Sequence, residues 1–306
     1  MMTSSVMTIM IGMAVCDFVT MITTIGSNSM WFDERGTDCS PPVSLSTLKR
    51  SWVLVSFRDL ARRASTWLGV LMALIRLVVV RSGARPRTMR FSEPSFGFYA
   101  TAVCFSVSFF FSLTYYFRYD LVEDGSWSPM KNCTDIPLTT VLPIMIQQPS
   151  ALFTDYNGIF GRAFMLVNGV VTKILPCILL PLLTFLLIME LRKADKVRKV
   201  SNFIKRPKSE RTTGLVIFVA ASSFVVELPI GIAHTFQVSF MDLGYLYIAT
   251  YVSHVCNAVF IVNATIHCLV FFFMSSQYRL TVANMLRIRS IQHRTISSGQ
   301  MSKNGS

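Results

Sequence analysis

The chain reads as an all-α bundle of membrane-spanning helices. Three observations lead there: six long apolar stretches, basic residues gathered in every second gap between them, and a composition rich in apolar side chains. Of 306 residues, 52% are hydrophobic, 12% aromatic and only 15% charged, with 24 Phe and 17 Met. A water-soluble domain cannot hide that much apolar surface. A bilayer core of about 30 Å needs about 20 consecutive apolar residues per helix, which a soluble core helix does not. The stretches run about 6–30, 52–80 (a polar run-in, then an apolar run from 64), 96–117, 164–189, 214–233 and 245–274. None shows the alternation of a strand. A helix satisfies its own backbone within the segment, so helices are expected.

Charge placement orients them. The net charge of +13 invites a nucleic-acid partner, but its distribution argues against one. Arg81, Arg85, Arg87 and Arg90 fill the gap 81–95, Lys and Arg crowd 191–211, and Arg279, Arg287, Arg289, Arg294 and Lys303 follow the last segment. The alternate gaps hold Arg35, Lys49, Arg50, Arg118 and Lys131. This is the positive-inside pattern. It places 81–95, 191–211, the N-terminus and the C-terminus in the cytoplasm. No linker or repeat divides the chain, so one unit is expected over 1–290, with a polar tail over 291–306.

Each segment carries its own polar signature. The first, 6–30, follows Met1 almost at once and is not a signal peptide, having neither a charged lead nor a small-residue cleavage site. It contains Asp17, about 18 Å above its inner edge at helix rise. The second carries Arg58, Asp59, Arg62 and Arg63 in its outer half and Arg76 about 21 Å below Arg62. The third contains Phe109, Phe110 and Phe111, which are expected to face lipid, as are Phe271 to Phe273. The fourth holds Lys173, Pro176 and Pro181. The fifth holds Glu227 and Pro229, and the sixth Asn263 and His267. Beyond Ser275, Tyr278, Val282, Met285 and Ile288 recur at helical spacing over about 276–288, as in a short amphipathic helix lying on the membrane.

Ionisable groups at membrane depth are costly and mark functional positions. Asp17 and Asn263 lie at matching depth and are expected to share a polar pocket, with or without a sodium ion. Arg62 and Glu227 also match in depth, so the two are expected to pair or to face one watery cavity. Asp59, three residues before Arg62, is a second partner for it. Arg58 and Lys173 would line the cavity mouth with positive charge, which suits a ligand carrying a carboxylate; alternatively Lys173 snorkels to the outer headgroups. His234, His254 and His267 lack metal-ligand spacing, and no metal or other cofactor is expected.

Cysteines sort by compartment. Cys16, Cys104, Cys177, Cys256 and Cys268 fall within apolar stretches. Cys39 and Cys133 fall in the two long outer loops, on the oxidising side, where one disulfide between them is expected; the alternative is two free thiols. Asn132-Cys133-Thr134 is a glycosylation sequon in the same loop, whereas Asn304-Gly305-Ser306 lies on the cytoplasmic side and is expected to be silent. The chain carries no phosphate-cradling loop, zinc motif or nucleophile elbow, so an enzyme is not expected.

The motifs then carry a resemblance. Asp17 resembles the second-helix aspartate of rhodopsin-like G-protein-coupled receptors, Arg76 their third-helix arginine, and Glu227-Leu228-Pro229 their sixth-helix proline motif. Asn263-Ala264-Thr265-Ile266-His267 stands where their seventh-helix Asn-Pro-x-x-Tyr stands. The block Arg62-Arg63-Ala64-Ser65-Thr66-Trp67-Leu68-Gly69-Val70-Leu71-Met72-Ala73-Leu74-Ile75-Arg76 looks like nematode serpentine receptors of class W. So do Met2-Thr3-Ser4-Ser5 and Met274-Ser275-Ser276-Gln277-Tyr278-Arg279. The resemblance spans about 1–290.

It implies a seven-helix receptor for a short neuropeptide. The ligand would meet Arg58, Asp59, Arg62, Lys173 and Glu227. Asp17, Arg76, Pro229, Asn263 and His267 would couple it to a heterotrimeric G protein in the plasma membrane. It also implies that the six segments are helices two to seven, with the family's first helix missing. That leaves, as an alternative, a non-signalling fragment retained in the endoplasmic reticulum. A transporter or channel would need symmetry-related broken helices, and the sequence has none. Departures from the pattern include Ile75 for the acid before the arginine, Glu227 at the tryptophan position, Ala264 for proline and His267 for tyrosine.

Overall fold

In a computed structural model, the described residues are 5–28, 39–82, 91, 93–129, 137, 139–200, 209–236 and 243–274. The fold is mostly helical. Helix α1 spans Ser5–Asn28, α2 Leu45–Ser82 and α3 Pro94–Tyr116. Strands β1 (Tyr119–Trp127) and β2 (Leu142–Pro149) form an antiparallel pair. A short α4 (Ala151–Thr154) leads through a 3-10 turn (Tyr156–Gly158) to α5 (Ile159–Gly169). A π-turn (Val170–Ile174) joins α5 to α6 (Leu175–Val200). Helices α7 (Ser209–Phe236) and α8 (Leu243–Met274) complete the bundle.

Four stretches are long and apolar enough to cross a membrane among the described residues: Ser5–Ser27, Leu45–Arg81, Pro94–Tyr116 and Tyr156–Lys193. Helices α7 and α8, with 28 and 32 residues, have the length to do so at 1.5 Å per residue. The expected spans are all helical, but their ends shift. The polar run-in before the second segment is itself helix, starting at Leu45 where the Ser44 hydroxyl receives the Thr47 N–H at 3.3 Å. Helix α3 starts at a proline, whose missing N–H is no loss in a first turn.

The chain is not purely helical, and the hairpin β1–β2 is the correction. It lies in the outer loop between α3 and α5. Tyr119 pairs with Pro149 and Trp127 with Leu142, with an irregularity between Glu123 and Ser126 beside Gly125 at φ +84°. The hairpin is closed at its base by Ser150, whose N–H donates to Arg118 O at 2.9 Å and whose hydroxyl donates to Phe117 O at 2.7 Å. The strands bury little and alternate poorly, so their register rests on backbone pairing that a hydrophobic pattern does not reveal.

Helix α2 is the hub, packing on α1, α3, α6 and α7. Its inward face, Ala61, Ala64, Leu68, Met72 and Ala73, meets Ile9, Met13 and Cys16 of α1 and Leu180 of α6. Lipid tails are as apolar as these side chains. The contacts therefore stabilise by close packing rather than by escape from water. Phe98, Val103, Phe109 and Phe110 of α3 remain exposed, as a lipid-facing surface should. Phe111 does not: it turns inward beneath the Arg63 guanidinium, 5.2 Å from ring centroid to Cζ. The side chains of Phe271 to Phe273, the stretch 276–288 and the tail lie outside the described residues.

Candidate functional site

The outer half of α2 presents three basic residues and one acid within six positions: Arg58, Asp59, Arg62 and Arg63. At 100° per residue they fan across more than one face, and each finds a different neighbour. Arg62 turns toward α7 and α8. Its Nε donates to Glu227, its Nη1 donates to Asn257 Oδ1 at 2.6 Å, and its Cζ lies 4.8 Å from the Phe260 ring centre. Arg63 turns toward α3 and α5. It donates to Asp59 one turn back, to Ser108 O at 3.0 Å, to Ser112 Oγ at 3.2 Å and to Asn168 Oδ1 at 3.1 Å.

Lys173 enters from the π-turn. Its Nζ is 3.1 Å from Glu227 Oε2 and 3.9 Å from Asp59 Oδ1. The π-turn brings it inward: the extra residue rotates the following helix, and Leu175 N–H reaches back to Val170 O. Pro176 has no N–H to give the Thr172 carbonyl, which favours the irregular turn just ahead of it. The turn sits against α7 at backbone contact. A Cβ on Gly231 would fall 2.9 Å from both Lys173 Cβ and Ile174 Cγ1, and one on Gly169 2.8 Å from Thr235 Oγ1.

Above these pairs lies a cavity of about 140 Å³, lined in part by Arg58, Asp59, Arg62, Asn168, Lys173 and Asn257. Val55, Tyr115, Ile230, His234 and Ser253 complete its wall. Its residues come from α2, α3, α5, the π-turn, α7 and α8. Beside it, Trp52 stacks on Tyr115 with centroids 5.5 Å apart, meets Tyr119 edge-on at 5.2 Å, and donates its Nε1–H to Tyr116 O at 2.9 Å. Strand β1 is thereby anchored at the rim.

Deeper in the bundle, Asp17 is buried and accepts a hydrogen bond from Ser65 Oγ at 2.8 Å. Asn263 of α8 is buried too. Arg76 is half-buried toward the inner end of α2, and Pro229 lies inside α7 two residues beyond Glu227. His267 lies within α8, its side chain outside the described residues. Among the described residues, no group of three His, Cys, Asp or Glu is placed to hold a metal.

The family model described as "Serpentine type 7TM GPCR chemoreceptor Srw" matches residues 1–289. The chain belongs to the Srw family. It is also similar to "G-protein coupled receptor dmsr-1" of Caenorhabditis elegans, 30% identical over 161 residues. That match takes in 50% of this chain and 30% of the relative, so the chain spans under a third of that protein's length. As an Srw chain it is a multi-pass membrane protein of a receptor family and not an enzyme.

Within this Srw chain the structure rearranges part of the expected site. Arg62 and Glu227 do meet. Asp59, however, pairs with Arg63 and not with Arg62, because a separation of four residues on a helix stacks side chains more directly than three. Lys173 neither snorkels outward nor gives the mouth a free positive charge; it is 2% exposed and bound to Glu227. Arg63, named from sequence without a partner, belongs to the network, as do Asn168 and Asn257, which the sequence reading did not single out. The rule that picks Asp17 and Asn263, a polar residue inside an apolar span, picks these two asparagines as well.

Cys39 is disulfide-bonded. Cys133 and the sequon at Asn132 lie outside the described residues. Cys16, Cys104, Cys177 and Cys256 are not in disulfides.

Proposed function

We propose that this chain is a receptor for a short extracellular neuropeptide and passes ligand binding to a cytoplasmic heterotrimeric G protein at the plasma membrane. One observation carries the reading: Arg62, which lines the cavity, pairs with Glu227 and so ties α2 to α7 beside it. A ligand that binds one arrangement of this pair better than another shifts the population of α7 positions. Pro229, two residues away, makes α7 a helix that can pivot at this depth. Movement there reaches the inner surface, where Arg76 and the basic gaps would receive the G protein, with Asp17, Asn263 and His267 along the way. Arg58, Asp59, Arg62, Lys173 and Glu227 are the proposed ligand-side residues. A disulfide from Cys39 to Cys133 would hold the outer loop over them.

The test is a G-protein reporter assay of the full chain in cultured cells against a panel of short neuropeptides, with surface expression measured in parallel. A peptide that triggers the reporter in the parent chain and fails in Arg62→Ala and Glu227→Ala, at equal surface levels, supports the reading. Equal responses in parent and variants would remove the pair from signal transmission.

A further inference from the structure

The charges around the outer cavity do not balance. Arg58, Arg62, Arg63 and Lys173 bring four positive charges, and Asp59 and Glu227 bring two negative ones. Three of the cations share the two acids: Arg63 and Lys173 lie on Asp59, and Arg62 and Lys173 on Glu227. Arg58 lines the cavity half-buried, with no acid within ion-pair distance among the described residues. Arg62 is 5% exposed, and among the described residues its buried Nη2 has no hydrogen-bond partner, nor has the buried Nδ1 of His234 in the cavity wall. Buried charge is tolerated where it is paired, and an excess of positive charge at membrane depth is a standing cost. An anion in the cavity would offset that cost.

Size narrows the anion. A cavity of roughly 150 Å³ holds one benzene ring, and this one is about 140 Å³. A peptide does not fit, but a single end group does. We infer that the cavity seats one small carboxylate-bearing end group of the ligand, held by Arg58 with the Arg62 side chain beside it, while the rest of the ligand stays outside. Lys173 is already committed to the two acids and serves to hold the cavity wall. This rests on the receptor reading only for the side from which the ligand arrives.

The probe is benzoate, whose carboxylate can enter the space while its ring stays at the opening, with benzamide as its uncharged counterpart. Thermal unfolding of the purified full chain in detergent is followed with each, at ionic strength matched with sodium chloride. The expected result is a Tm that rises with benzoate concentration and not with benzamide or chloride, since a ligand of the native state alone stabilises it. Arg58→Gln should weaken benzoate binding at least about tenfold, the worth of one charge-assisted hydrogen bond. In anion-poor buffer the same variant should melt higher than the parent, because it removes an uncompensated charge. Arg58→Lys should keep most of the benzoate effect.

Equal shifts with benzoate and benzamide, or a benzoate shift undiminished in Arg58→Gln, would overturn the inference. A chloride shift as large as that of benzoate would overturn it too, as simple charge screening. The assay uses no G protein, so its failure is separable from that of the receptor reading: peptide-triggered signalling without a benzoate shift removes the carboxylate seat alone.

Discussion

Arg62 of α2 and Glu227 of α7, 165 residues apart in the chain, form an ion pair buried on both sides. Lys173 shares the same carboxylate at 3.1 Å, so three separate elements converge on one acid. Breaking a buried pair by removing one partner costs about 3–5 kcal/mol, because the other charge is left uncompensated. Glu227→Leu is therefore expected to lose that much stability, and Arg62→Met somewhat less, since Lys173 continues to pair with Glu227. The double variant should be more stable than the sum of the single losses by about 0.5–3 kcal/mol. Thermal unfolding of the three variants in detergent measures this, and strictly additive losses would mean that the two residues are not coupled.

The contact of the π-turn with α7 depends on absent side chains. Gly231→Ala would place a methyl group 2.9 Å from Lys173 Cβ and Ile174 Cγ1. Overpacking of this kind costs about 1–3 kcal/mol. The change should also push Lys173 away from Glu227. Lower Tm together with a weaker coupling in the Arg62–Glu227 cycle is the expected outcome; an unchanged Tm would show that the turn yields freely.

Arg63 is held by Asp59, Ser108, Ser112 and Asn168 and lies over Phe111. Only a planar guanidinium reaches so many acceptors in different directions. Arg63→Lys keeps the charge and loses the fork. Each buried acceptor left unmet costs about 1–3 kcal/mol, so this conservative change is expected to lower surface expression sharply. Flow cytometry of a tagged chain against the parent is the measurement, and parental levels would show that one ammonium suffices.

Cys39 is in a disulfide, and its proposed partner is Cys133. If so, Cys39→Ser, Cys133→Ser and the double variant should share one phenotype, with a loss of about 2–5 kcal/mol. Peptide mapping by mass spectrometry without reduction decides the pairing directly. Recovery of Cys39 linked to another cysteine would replace the assignment.

Much of the molecule is legible in its residues because the bilayer imposes a strong and simple rule. About 20 apolar residues make a span. Charge placement gives an expected orientation, and depth along a helix follows from 1.5 Å per residue. Depth alone was enough to bring Arg62 and Glu227 to one level. Depth does not say which way a side chain points, and there the reading failed. Asp59 was matched to Arg62, where the helix turns it to Arg63. Depth leaves Lys173 open between the cavity mouth and the outer headgroups; the π-turn carries it inward, where it lines the cavity and meets Glu227. The outer hairpin escaped because its strands are short and mostly exposed, without a buried face to set a pattern.

What the sequence by itself determined is therefore one-dimensional: which stretches are apolar enough for the bilayer, how deep each polar residue sits, and which family the motifs resemble. The tertiary structure alone decided the azimuth of each side chain. It chose which two of four cations an acid would hold, and among the described residues it left Arg58 without one. The physical reason is that hydrophobicity and length are summed along the chain, whereas pairing depends on helix rotation, and rotation is set by packing against neighbours such as Gly231 on Lys173 that lie far away in sequence.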